Sequence, residues 1–163
     1  MALIKAYDSA QITASEAAAV EAHDQCSVAA TDRAKVQAFD TAHVVAFRDA
    51  AVEARAHADV AAYGRASVQA HDHVVAACSD SSRLRAHDDV EAEVFGAAMA
   101  SVGDSVHVVA HARAVVTVRG KATVAAPGHV IVSAYDEAAV DAGPDVVLRE
   151  HGRHVRFAHA LQE

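Results

Sequence analysis

The stretch FDTAHVVAFRDAAVEARAHADVAAYGRASVQAHDHV, residues 39–74, resolves when it is cut every eight residues. Val44, Val52, Val60 and Val68 then fall in one column, and Ala46, Ala54, Ala62 and Ala70 in another. With octads numbered from Met1, position 4 is apolar from Ile4 to Leu148, and position 6 is Ala, Val or Cys from Ala6 to Ala142. Position 2 is Ala, Val or Cys from Ala2 to Val146, Ser82 excepted. Up to residue 149 no Asp, Glu, Lys, Arg or His occupies positions 2, 4 or 6. Alternation of period two is the mark of a strand with one face buried. Positions 7, 8 and 1 (Tyr7-Asp8-Ser9, Phe39-Asp40-Thr41, Tyr63-Gly64-Arg65) carry the bend. A helix would scatter positions 2, 4 and 6 around its cylinder, so the pattern excludes an alanine-rich bundle.

Strands this short need neighbours on both sides. Hairpin turns of the Asn-Gly type, which an antiparallel meander would use, do not recur here. The pattern predicts an all-β fold: a flattened, two-sheet parallel β-solenoid of about nine 16-residue coils. Residue i then lies under residue i+16, with coils about 4.8 Å apart. Position 8 separates the two edges of the coil. One edge runs Asp8, Asp24, Asp40, Ala56, Asp72, Asp88, Asp104, Gly120, Asp136; the other is mixed and glycine-rich. Large apolar side chains are few and Trp is absent. A thin Ala/Val interior accounts for that, because alanine lining a wide core would leave voids. The repeat domain covers residues 1–149. Glu150 is the first charge at an inward position, so residues 150–163 are expected to form a C-terminal cap.

The lines Tyr7–Ala14 (YDSAQITA) and Gly120–Gly128 (GKATVAAPG), built into paired octads, resemble the central repeats of bacterial ice nucleation proteins. The resemblance implies shape. That family's outward Thr-x-Thr ladders and Gly-Tyr-Gly turn are replaced here by outward pairs such as Leu3/Lys5, Gln11/Thr13, Ala19/Glu21, Arg83/Arg85 and Glu91/Glu93.

The formal charge of −8 argues against nucleic-acid binding, which needs a basic surface. The twelve histidines could carry that charge past neutrality on acidification. No apolar run is long enough to span a bilayer as a helix, and the N-terminus does not read as a signal peptide; a cytoplasmic protein is expected. Cys26 and Cys78 fall at inward positions and are expected to be buried thiols about 14 Å apart, three rungs, too far for a disulfide. The Asp edge is expected to satisfy its own turn amides rather than hold cations. The adjacent position-7 column, which includes His71 and His87, is expected to stack its flat side chains rather than bind metal. No nucleophile elbow, zinc-protease helix, phosphate loop or CxxC is present, so neither catalysis nor a cofactor is expected.

Two candidate interfaces stand out. One is the first coil, with Ala2 and Ile4 already in register and nothing capping them, which invites pairing with a second copy. The other is a strip of outward position-3 residues, Met99, Val115, Ile131 and Val147, beside Ser101, Thr117, Ser133 and Arg149. The reading that follows is a non-catalytic scaffold that forms a homo-oligomer, most simply a dimer, or docks a protein on a flat face. Ice binding is a second reading. An acidic DNA mimic is a third, weakened by the interspersed Lys and Arg.

Overall fold

The computed structural model describes residues 3–151 and 155–159. It contains twenty four-residue strands, from β1 (Leu3–Ala6) to β20 (Arg156–His159). Odd-numbered strands form one ten-stranded sheet and even-numbered strands the other. Every pair is parallel, and from β1 to β19 (Val147–Glu150) partners lie sixteen residues apart. Val44 in β6 (His43–Ala46) pairs with Val60 in β8 (Asp59–Ala62), and both are fully buried. Successive octads alternate between the sheets, so one coil comprises two antiparallel passes and two corners.

The interior is the slim Ala/Val layer that the columns predict. Its volume is held constant by compensation between positions. Position 4 drops to alanine at Ala76, Ala92 and Ala100, all buried. There the flanking inward sites enlarge: Val74 and Cys78 around Ala76, Val90 and Val94 around Ala92, and Val102 after Ala100. Leu84, in β11 (Arg83–Ala86), shares a coil with Ala92 and is the largest fully buried side chain. Close packing requires this, since voids and overpacking both destabilise. The outermost described coil is less covered, and Ile4 is 42 % exposed.

Among the described residues Ser82 is the one buried polar residue in the core, and its hydroxyl makes no hydrogen bond. It lies near Cys78, whose thiol is pushed up to about 11, mainly by burial, with Ser82 partly offsetting the shift. Both cysteines are buried and free. The raised thiol has a consequence in alkali. Below pH 9.0 the group is neutral folded or unfolded, and its contribution is fully present. Between pH 9.0 and about 11 the unfolded chain ionises first, so stability is lost across that window. The loss approaches about 2–3 kcal/mol at the top of the window. Denaturation midpoints of the wild type and Cys78→Ala, followed from pH 8 upward, should diverge there, the alanine variant declining less.

The corners explain the Asp column. Position 8 is left-handed at nearly every corner, with φ between 56° and 70°. Asp and Gly tolerate that region best, which is why they dominate the column. The turn closes when the position-2 amide donates to the position-7 carbonyl, as from Ala42 to Phe39 at 3.1 Å. The amides at positions 7 and 1 donate to carbonyls of the preceding coil, as from His23 to Ala6 and from Gln25 to Asp8. The position-8 amide takes a carboxylate instead. Asp8 N–H donates to Asp24 (3.0 Å), Ala56 N–H to Asp72 (3.0 Å) and Gly64 N–H to Asp80 (2.9 Å). Asp24, Asp40, Asp72, Asp80, Asp88, Asp104 and Asp136 therefore serve the turn of the preceding coil rather than their own, which corrects the sequence expectation. The stitch ties rung to rung and holds the carboxylates against backbone donors.

Ala56 occupies this left-handed position without the side chain for it, at φ 60°. Relieving that strain by Ala56→Gly should stabilise the protein by about 1 kcal/mol, because the folded-state penalty on a Cβ exceeds glycine's entropic cost. Urea denaturation of the two proteins reads this directly. The bond from residue 56 to Asp72 is a backbone one and survives the change.

The region expected to cap the rod carries a strand. β20 pairs with β18 (Ala139–Ala142) as Ala139↔Arg156 and Val140↔Phe157, an offset of seventeen residues. One additional residue in the preceding corner resets the register. That is why the sequence appeared to lose its period there. Glu150, the predicted inward charge, ends β19 and is exposed.

Candidate interaction surfaces

Alternation sends positions 3 and 5 outward, so each sheet displays two parallel columns of side chains. On the odd-strand sheet, Met99, Val115, Ile131 and Val147 are successive register partners across β13 (Met99–Val102), β15 (Val115–Val118), β17 (Ile131–Ala134) and β19. Met99 and Val147 are 43 % and 53 % exposed, while Val115 and Ile131 are half-buried by these neighbours. The second column stacks Ser101, Thr117, Ser133 and Arg149 in the same register. No outward charge interrupts the face between Arg85 and Arg149. The strip read from the sequence is thus one continuous surface. Ile4 lies on the opposite end of the rod, and Ala2 falls outside the described residues.

The two faces differ in charge. The odd-strand face presents Lys5, Lys35, Arg83, Arg85 and Arg149 against Glu21 and Glu53. The even-strand face presents Asp59, Glu91, Glu93 and Asp141 against Arg156. Several of these are paired within the chain. Lys5 reaches Glu21 at 3.0 Å, Arg55 reaches Glu53 at 2.7 Å, and His43 Nδ1 lies 3.0 Å from Asp59. The hydrogen bonds from His23 and then Lys5 hold the Glu21 carboxyl below the usual range, and Arg55 with Gln37 does the same for Glu53. On the glycine-rich edge Arg65 lowers Asp49 in the same way. Among the described residues, Arg83, Arg85, Glu91 and Glu93 have no such partner, and all four are exposed.

The position-7 columns stack their rings up the corners. Tyr7, His23 and Phe39 form one run at 5.0 and 4.9 Å, and His71 lies 5.8 Å from His87. Phe47–Tyr63 and Phe95–His111 stack on the opposite edge, at 5.4 and 4.8 Å. Arg119 lies 5.0 Å over Tyr135, which stacks on His151. Each ring spends its face on its neighbour, so these columns brace the edges. His23, His71 and His87 also approach the Asp of the next coil, at 3.6, 3.8 and 3.5 Å. Nowhere among the described residues do three His, Cys, Asp or Glu side chains converge as a metal site would require.

Comparison with protein-family models, with curated proteins and with solved structures yields no match. The functional reading therefore rests on the surfaces.

Sequence reasoning found the apolar strip because four aliphatic residues recur every sixteen positions. It did not find the opposition of charge between the faces. The signal was available in the pairs Arg83/Arg85 and Glu91/Glu93, which are consecutive octads and so must lie on opposite sides of one coil.

Proposed function

We propose that the chain is a non-catalytic structural scaffold, a rigid rod that self-associates through a flat sheet face. The observation that carries this reading is the uncharged surface of β13, β15 and β17, where an aliphatic column runs beside a hydroxyl column. A contiguous apolar patch of this kind, on a backbone fixed by pairing on both sides, is an association surface. Its neighbours are themselves flat, so a partner sheet can approach to the usual face-to-face spacing of about 10 Å.

Light scattering over a concentration series tests the reading. The wild type should gain mass with concentration, and Val115→Arg should shift the association midpoint at least tenfold upward. An Ala2→Arg change, at the end of the chain remote from the strip, should leave the midpoint unmoved. A wild type that stays monomeric throughout contradicts the proposal.

A further inference from the structure

The charge on the two faces is opposed in coil six, residues 81–96. β11 and β12 (Glu91–Val94) belong to one coil, with Arg83 and Arg85 outward on one side and Glu91 and Glu93 outward on the other. We infer that the occupant of the odd-strand face is the even-strand face of a second copy, so that rods stack front to back in the same orientation. The inference rests on the self-association proposed above and specifies its geometry.

The alignment follows from the coil. The two passes of a coil run in opposite directions, so when one copy is translated onto the next, position 3 of one face meets position 5 of the other. Arg83 then faces Glu93, and Arg85 faces Glu91. One rung further, Met99 meets Val109, and after that Val115 meets Ala125, so these two aliphatic side chains lie on small apolar ones, while Ile131 comes opposite Asp141. The receiving face already has a place for the arginines. A shallow depression of about 320 Å³ is bounded there by Val75, Ala77, Glu91, Glu93, His107 and Val109. Its apolar floor suits the methylene stems of arginine and its two carboxylates suit the guanidinium groups.

Two like-charge contacts arise. Glu53 faces Asp59, but each is already bound within its own chain, by Arg55 and His43. Arg149 faces Arg156 at the end of the rod, where solvent screens both. The area suffices: ten rungs at about 4.8 Å and four residues at about 3.3 Å give roughly 600 Å² per face, the lower bound for a stable interface. Because the contact joins unlike faces by translation, it does not close, and stacks grow beyond the dimer.

Sedimentation velocity at low and high salt tests this with two paired charge reversals, Arg83→Glu/Arg85→Glu and Glu91→Arg/Glu93→Arg. All four sites are exposed, and far-UV spectra should show an unchanged β-sheet signature. The wild type should form species larger than a dimer at low salt and lose them at about 0.5 M salt. Each reversal makes both faces alike in sign and should abolish stacking at the wild-type midpoint. An equimolar mixture of the two should restore it, because the acidic front of one meets the basic back of the other. If Glu91→Arg/Glu93→Arg assembles as the wild type does, or if the mixture fails to recover, front-to-back stacking is overturned while self-association stands. A monomeric wild type overturns both.

Discussion

Replacing Val60 by aspartate should break the rod in its middle. Val60 is fully buried, paired on one side with Val44 and on the other with Ala76. Every inward residue of those coils is Ala, Val or Cys. No cation or hydrogen-bond donor can reach a carboxylate there, so the charge is either buried unpaired or expelled by opening the coil. The expected cost exceeds about 4 kcal/mol. In a quasi-one-dimensional stack such a defect does not stay local in the way it would in a globule. Each coil is stabilised by its two neighbours, so losing one removes two interfaces and leaves two shorter rods. Urea denaturation should therefore lose its single transition and show two, at lower midpoints. Limited proteolysis should cut near residue 60 in the variant and not in the wild type. Val60→Ala, which only deletes methyl groups, should keep one transition.

The second large effect belongs to Leu84. Its side chain fills the space that Ala92 and Ala100 leave, and it is 1 % exposed. Leu84→Ala places alanine beside alanine in coil six, and the sheets cannot close the gap because their spacing is set by the valine layers above and below. The expected loss is about 3 kcal/mol, within the range for leucine truncation into an unrelaxed cavity. Leu84→Val should cost less than about 1.5 kcal/mol. Because the volume is shared across the coil, Leu84→Ala combined with Ala92→Leu should recover part of the loss. A double-mutant cycle in urea measures that coupling, and strict additivity would show that the two sites do not share one cavity.

Most of the fold was legible because a β-solenoid writes its geometry into the sequence as a period. The inward columns admit no charge, and a sixteen-residue step is the only one that keeps the two edges distinct. The stacking of Tyr7, His23 and Phe39 followed from the same period. The corner chemistry was less readable. The abundance of Asp and Gly at position 8 was plain, but its cause is a left-handed backbone that Ala56 and Arg48 also adopt. That the carboxylate serves the preceding turn depends on a distance between rungs, which composition does not reveal. The C-terminal strand was hidden by a single added residue: with Glu150 at an inward position, the alternation no longer matched its own template.

The surfaces are a different kind of information. Outward positions are free of the steric rule that fixes the interior, so they vary from coil to coil, and only coincidences of register carry meaning. The aliphatic strip is one such coincidence. The opposed pairs of coil six are another, visible only once consecutive octads are assigned to opposite faces.

The claim beneath all of this is the advance of one rung per sixteen residues. Pulsed electron-spin distances test it most directly, with Cys26 and Cys78 replaced by alanine and one label fixed at Ser27. Second labels at Asp59, Glu91 and Thr123, all in the same outward column, should report distances rising in even steps to about 29 Å for six rungs. Distances that fail to rise in proportion to sequence separation, or that bunch as in a globular sheet, would contradict the solenoid.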